Sequence, residues 1–285
     1  MKINTNIASL AAQEANTNTN NKLTNSLSKL SSGLRINKAS DDASGLAIAD
    51  KLRTQASSIG QAISNGNSAV AMMQIADKAM AEQSNILDIV KTKLIQAATD
   101  TTSEEGRTAI GKDVDKLLNQ LNNIAEQTNY NGTTLLQGAT SASAAATLTF
   151  QMGETSSDTI GSTGGVRSNV SGLTLEALQS AAASGGTTAF TAVAARGFLD
   201  DIDSALNTLN GWRADFGSTQ NQLESAVRNQ MTQQTNIKAA ESVIRDVDYA
   251  AESANFNKLN IISQAGTYAM SQANNVQQNV TRLLQ

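Results

Sequence analysis

The chain has 285 residues with 21 Lys and Arg against 25 Asp and Glu, a formal net charge of −4. That acidic balance argues against nucleic-acid binding, which rests on basic surfaces meeting phosphate. The chain contains no Cys, His or Pro, which removes disulfides, thiolate metal sites and the commonest general base, and leaves few forced breaks in helices.

Charged residues make up 16% of the chain, below the roughly 25% usual in globular domains. No run approaches the roughly 20 apolar residues of a membrane span. The opening MKINTNIASL lacks the apolar core of a secretory signal, so a secreted chain would leave by another route.

Residues 1–35 predict a short loop and then a helix. Leu23, Leu27, Leu30 and Leu34 recur at spacings of four, three and four, a heptad seam that buries one narrow stripe against a partner helix. The segment 36–44 breaks the period. Ser40 is expected to cap the next helix, and Asp41 and Asp42, beside Arg35 and Lys38, to complement its dipole.

A long helix is predicted over 45–99, with a seam through Ile48, Leu52, Ile59, Ile63, Val70, Met73, Met80 and Leu87. At ~1.5 Å per residue it is roughly 80 Å long, and only packing stabilises such a length. A second helix, 104–128, carries Ile110, Val114, Leu117, Leu118, Leu121 and Ile124.

Tyr130-Asn131-Gly132-Thr133 contains Asn-Gly, a tight-turn signal. Thr133–Leu136 and Leu148–Met152 are strand candidates. Residues 139–190, rich in Ser, Thr, Ala and Gly, are expected to be surface hairpins and loops around a short helix at 173–183. Helix resumes near Ala192 and runs through Phe198, Ile202, Leu206, Leu209, Trp212, Phe216, Leu223 and Val227 to Val247.

After a break near 246–249, Leu259, Ile262, Gly266, Ala269, Ala273, Val276, Val280 and Leu283 alternate at three and four. Lys258 and Arg282 are the only charges over 256–285. An exposed helix normally keeps its back charged, so this one is built to be covered, most simply by other copies of the chain. The two terminal seams are expected to pair with each other. So thin a pair buries little area alone, which favours ordering on assembly. The predicted fold class is mainly α: a long α-helical bundle with a terminal coiled-coil pair and a small β-hairpin region at the far tip.

The stretches MKINTNIASLAAQ, LSKLSSGLRINKASDDASGLAIADKLRTQ and EQTNYNGTTLL, with IDSALNTLNGWRADFGSTQNQLESAV and the run from ESVIRDVDYAAESANFNKLNIISQAGTYAMSQAN to VTRLLQ, resemble bacterial flagellin. The resemblance covers about 1–138 and 196–285. It implies three parts: 1–40 plus 250–285 as an inner coiled-coil domain, 41–138 plus 196–249 as a long-helix bundle, and 139–195 as a surface β and loop region.

The resemblance further implies a structural subunit, exported unfolded by the flagellar type III system and polymerising into the extracellular filament. Its polymerisation seams would be Leu23, Leu27, Leu30, Leu34, Leu259, Ile262, Ala269, Val276, Val280 and Leu283. Its partners would be itself, an export chaperone, the filament cap and the hook-junction proteins, with no nucleic acid and no membrane. A hook–filament junction protein of the same system is the alternative. No enzymatic activity, catalytic residue, metal or cofactor is expected: flagellins with an inserted protease carry a His-Glu-x-x-His zinc motif, and this chain has no His. A monomeric coiled-coil adaptor is a third reading.

Two surface features also follow from the resemblance. Flagellins that activate the Toll-like innate receptor carry Arg, Glu and Leu where this chain has Ile89, Thr92 and Lys93, with Lys91 in place of a second Arg. That pattern is similar to the Campylobacter and Helicobacter group and implies weak or no recognition. Related flagellins are O-glycosylated, which makes Thr155, Ser156, Ser157, Thr159, Ser162 and Thr163 candidate acceptors.

Overall fold

The computed structural model describes residues 5–138, 144–162, 164–184 and 190–283. Its elements in order are α1 (Ile7–Ser32), α2 (Ala43–Ala98), α3 (Glu104–Gln127), β1 (Asn129–Tyr130), β2 (Thr133–Thr134), β3 (Thr149–Gln151), β4 (Thr159–Gly161), α4 (Glu176–Ala183), α5 (Ala192–Arg245) and α6 (Tyr249–Leu283). Two compact units result. One joins Met1–Ser57 to Gln234–Gln285, and the other is Ser58–Gln233. The divisions fall inside α2 and α5, so both helix breaks lie within the first unit.

The Ser58–Gln233 unit holds the large core. On α2, Ala69, Met73, Ala76, Met80, Gln83, Leu87, Val90, Leu94 and Ala97 are buried, at spacings that alternate four and three. They meet Ile110, Val114, Leu118, Leu121 and Ala125 of α3 and Ala195, Ile202, Ala205, Leu209, Phe216, Leu223 and Val227 of α5. Gln83 is the polar member of this row. Its Nε2 donates to the carbonyls of Leu121 (3.1 Å) and Ser168 (3.0 Å), which gives the buried amide nitrogen the partners that burial demands.

Two ion pairs join α2 to α5, Asp77 with Arg213 (3.0 Å) and Lys91 with Asp203, and Asp100, in the turn just past α2, pairs with Arg196 of α5 (3.4 Å). Numbers rise on one helix as they fall on the other, so the helices are antiparallel. Partly exposed pairs contribute about 0–1 kcal/mol each; alternating signs fix register more than stability.

The hairpin β1–β2 forms at the predicted turn, with Tyr130 opposite Thr133. Asn131 (φ 50°) and Gly132 (φ 81°) are both left-handed, as a two-residue type I′ loop requires. The second pair, β3–β4, sets Phe150 opposite Ile160.

The expectation that 139–190 is mere surface needs correction. Ala145, Met152, Val166, Val170, Leu173, Leu175, Leu178 and Ala182 are buried in the core. Those from Ala145 to Val170 sit singly among Gly, Ser and Thr and show no face in the sequence, whereas Leu175, Leu178 and Ala182 follow the helical spacing of α4. A Cβ added at Gly66 would lie 2.7 Å from Met152 Cε and 2.5 Å from Val227 Cγ2; this loop packs directly on α2.

In the first unit, α1 ends at Gly33, whose φ of 72° and N–H to the Lys29 carbonyl (2.9 Å) make a left-handed C-cap. The two breaks then pair as a short antiparallel bridge at Leu34 and Asp246. Val247 N–H donates to the Gly33 carbonyl (3.0 Å), Arg35 N–H to the Arg245 carbonyl (2.7 Å), and Arg35 Nη2 to the Ile244 carbonyl (2.6 Å).

Two expectations here are corrected. Asp42, not Ser40, caps α2, its Oδ1 accepting from Gly45 N–H (2.9 Å). Asp41 closes the preceding turn instead, and the backbone N–H groups of Lys38 and then Asn37 hold its carboxyl below the usual aspartate range. Ile48 is 51% exposed, because the inner face of α2 runs through Ala49 and Ala56 and small residues let the chain pack closely there.

Gly33→Ala is expected to loosen both breaks. A side chain at that φ costs about 1–2 kcal/mol, and its Cβ would meet Tyr249 Oη at 2.8 Å. Hydrogen exchange at residues 33–36 and 244–249 should rise together. Exchange rising at one break alone would show that the bridge does not couple them.

Candidate functional site on the terminal helices

Helices α1 and α6 approach closely along their lengths. Ser26 Oγ donates to the Glu252 carboxylate, Ser263 Oγ to Asn20 Oδ1 (2.8 Å) and Asn6 Nδ2 to the Ala273 carbonyl (3.1 Å). The pair is therefore antiparallel. A row of less exposed positions on α1 runs through Ser9, Ala12, Asn16, Thr19, Leu23, Ser26 and Leu30 to the C-cap Gly33, and one on α6 through Glu252, Phe256, Leu259, Ser263, Gly266, Met270 and Ala273. Both rows alternate three and four, and both are largely small or polar. Hydrogen bonds across such a seam specify register at the expense of apolar burial. Asn16 Oδ1 is buried against the Gly266 side of the seam and has no hydrogen-bond partner.

The predicted seam residues divide into two groups. Leu23, Leu30 and Leu259 face the partner helix, and Leu34 lies half-buried at the bridge just past α1. Leu27 is 52% exposed, Ile262 43% and Val276 51%, and Ala269 is exposed as well. These four form outward rows beside the pair stripe. Ile7, Leu10, Ile261 and Tyr268 are also strongly exposed. The side chains of Val280 and Leu283 lie outside the described residues.

Hydrophobic spacing found the apolar members of two adjacent rows and merged them into one. It missed Ser26, Glu252 and Ser263, which make the actual cross-helix contacts. Their signal was a three–four alternation of small and polar residues, which apolar periodicity does not weigh.

Each outward Leu, Ile or Val would yield roughly 1.5–3 kcal/mol if fully buried. The helices that carry them hold few charges: α6 has only Glu252, Lys258 and Arg282. Exposed apolar residues on so weakly charged a helix are a candidate interaction surface.

Residues 89–93 lie on α2. Ile89 is 46% exposed. Lys91 pairs with Asp203 of α5, Lys93 with Asp113 of α3 (3.2 Å), and Thr92 Oγ donates to the Ile89 carbonyl (2.7 Å). Both lysines are thus engaged by neighbouring helices.

Among the candidate acceptors, Thr155, Ser156, Ser157 and Thr159 are exposed around the β3–β4 turn. There the Thr155 hydroxyl and then its N–H hold the Asp158 carboxyl below its ordinary range. Ser162 is corrected: it is buried, and its Oγ accepts from Leu148 N–H (3.2 Å), which leaves no room for a sugar. Thr163 lies outside the described residues. Among the described residues no group of three or more Asp and Glu is placed to hold a metal, and no helix is long and apolar enough to cross a membrane.

Residues 3–141 match the family described as the bacterial flagellin N-terminal helical region, and residues 199–284 match the bacterial flagellin C-terminal helical region. The flagellin of Bacillus subtilis is 34% identical over 309 aligned residues, covering 100% of each chain. The chain belongs to the bacterial flagellin family.

The family regions coincide with the stretches whose motifs carried the resemblance. Flagellin B of Helicobacter pylori is 51% identical over 167 residues, which cover 56% of this chain and 32% of that protein. The chain therefore spans about a third of the length of that relative. A solved structure from Vibrio parahaemolyticus, assigned to the flagellar hook-associated class, aligns with a TM-score of 0.61 at 12% identity over 72% of this chain and 99% of that one. At that identity the likeness concerns the helical fold.

Proposed function

We propose that this flagellin polymerises into the bacterial flagellar filament by burying the outward rows of α1 and α6 against other copies of itself. The observation that carries the reading is the exposure of Leu27, Ile262, Ala269 and Val276 on helices with almost no charge. Within one chain the polar seam sets the register of α1 on α6, and the apolar row beside it is left for a neighbour. Residues 1–40 with 250–285 would form the inner layer of the filament and 41–138 with 196–249 the layer around it, with 139–195 towards the outside.

The same reading makes the protein a non-enzymatic, extracellular subunit, exported by the flagellar apparatus with its chaperone and added beneath the cap above the hook junction. Protein dissociated by heat and then returned to salt should form tubes of uniform width under negative stain. Protein that stays monomeric in every salt condition would support the adaptor reading instead.

Weak recognition by the Toll-like receptor belongs to this proposal. Ile89 offers no donor, and an Arg fork contributes about 1.5–3 kcal/mol through charged hydrogen bonds, or roughly tenfold to a hundredfold in affinity. A cell reporter should respond that much more strongly to Ile89→Arg/Thr92→Glu/Lys93→Leu than to the natural chain. Equal responses would remove these positions from the account.

A further inference from the structure

The sequence contains three Asn-Gly pairs: Asn65-Gly66, Asn131-Gly132 and Asn210-Gly211. Glycine imposes no side-chain barrier on its own nitrogen, so each pair has the same intrinsic tendency to cyclise. The fold treats them differently. Asn65-Gly66 lies inside α2, where Asn65 Nδ2 donates to the Gln151 carbonyl (3.3 Å) and Gly66 is packed against Val227 and Met152. Asn210-Gly211 lies in the middle of α5, exposed to solvent and with nothing within 4 Å of a Cβ at Gly211. Asn131-Gly132 is the two-residue loop of the β1–β2 hairpin, also exposed, with open space around Gly132.

We infer that Asn131 is a site of spontaneous covalent modification, through a succinimide to aspartate and isoaspartate, and that the fold protects Asn65 and Asn210. The Gly132 amide gives its proton to hydroxide, and its nitrogen attacks Asn131 Cγ. The new C–N bond closes a five-membered imide as the Cγ–Nδ2 bond breaks and ammonia leaves with a proton from water. Water then adds to one of the two imide carbonyls and opens the ring, leaving aspartate or isoaspartate at position 131. The sum is asparagine plus water giving the acid and ammonia, with no oxidant or cofactor.

Exposure alone does not separate Asn131 from Asn210. What separates them is the backbone. The Gly211 N–H is held in a helical bond to the carbonyl four residues back, and the helix fixes the Asn210 dihedrals so that Cγ is kept from the next nitrogen. Reaction there requires opening the middle of a 54-residue helix. Reaction at Asn131 requires distorting a loop closed by two ladder pairs, with a non-glycine residue already in the left-handed region. Local openings of this kind sit at the low end of the stability range and mid-helix openings well above it. The isoaspartate product adds a backbone atom to the loop and a negative charge, which breaks the match between Tyr130 and Thr133.

The test is to incubate the intact folded protein in mildly alkaline buffer and map the three sites by peptide mass spectrometry with isoaspartyl-methyltransferase labelling. Conversion at position 131 should be at least about tenfold faster than at 210 or 65, because each 1.4 kcal/mol of extra opening is a factor of ten in rate. The same chain in denaturant should convert all three at similar rates. Equal rates at 131 and 210 in the folded protein would overturn the inference, as would protection of 131 when the denatured chain converts there.

Discussion

Leu27→Asp is expected to abolish filament growth while leaving the folded subunit almost unchanged. Leu27 is 52% exposed on α1 and turned away from α6, so the new carboxylate stays in water in the single chain, within about 0.5 kcal/mol of wild type. Once a neighbour covers that row, an unpaired carboxylate costs several kcal/mol, repeated at every subunit. Leu23→Asp is the informative contrast. Leu23 lies in the α1–α6 seam, so that change should disrupt the helix pair in the monomer itself. Circular dichroism and sedimentation separate the two outcomes. Normal filaments from Leu27→Asp would remove the outward row from the assembly account.

The second large effect is in the core. Leu87 is fully buried on α2, in the row that meets α3 and α5. Leu87→Ala should destabilise the Ser58–Gln233 unit by about 2–5 kcal/mol, the lost transfer energy plus a cavity that rigid helices cannot close. For a unit of that size the melting midpoint should fall by roughly 5–15 °C. Calorimetry on the monomer reads this directly. A fall of under about 2 °C would mean that the core relaxes around the site or that the unit does not melt cooperatively.

Long amphipathic elements were legible in the sequence because their period is repeated many times. The seam of α2 from Met73 to Leu87 and that of α5 from Ile202 to Val227 came from spacing, and the turn at Asn131-Gly132 from the identity of its two residues. The core contribution of Ala145, Met152, Val166 and Val170 was not legible. Those residues are placed by backbone bonds such as Ser168 N–H to the Leu136 carbonyl (3.0 Å), and long-range pairing of irregular chain leaves no periodic trace.

The terminal helices show the converse limit. Their heptads were visible, but which row faces the partner depends on Ser26, Asn20 and Ser263, whose polarity hides them from a hydrophobic pattern. Leu27 and Ile262 looked like seam residues because they are apolar. Their exposure in the single chain is what makes them candidates for contact with a second chain.

The absence of cysteine makes the central claim directly measurable. Single variants Leu27→Cys and Val276→Cys each introduce one thiol on the outward rows, where the native side chains are 52% and 51% exposed. Reaction with a maleimide is then followed in the monomer and in reassembled filaments. Rapid labelling of both monomers and strong protection of both in the filament is the predicted result. Equal labelling in monomer and filament would show that these rows stay in water after assembly, and would contradict the account.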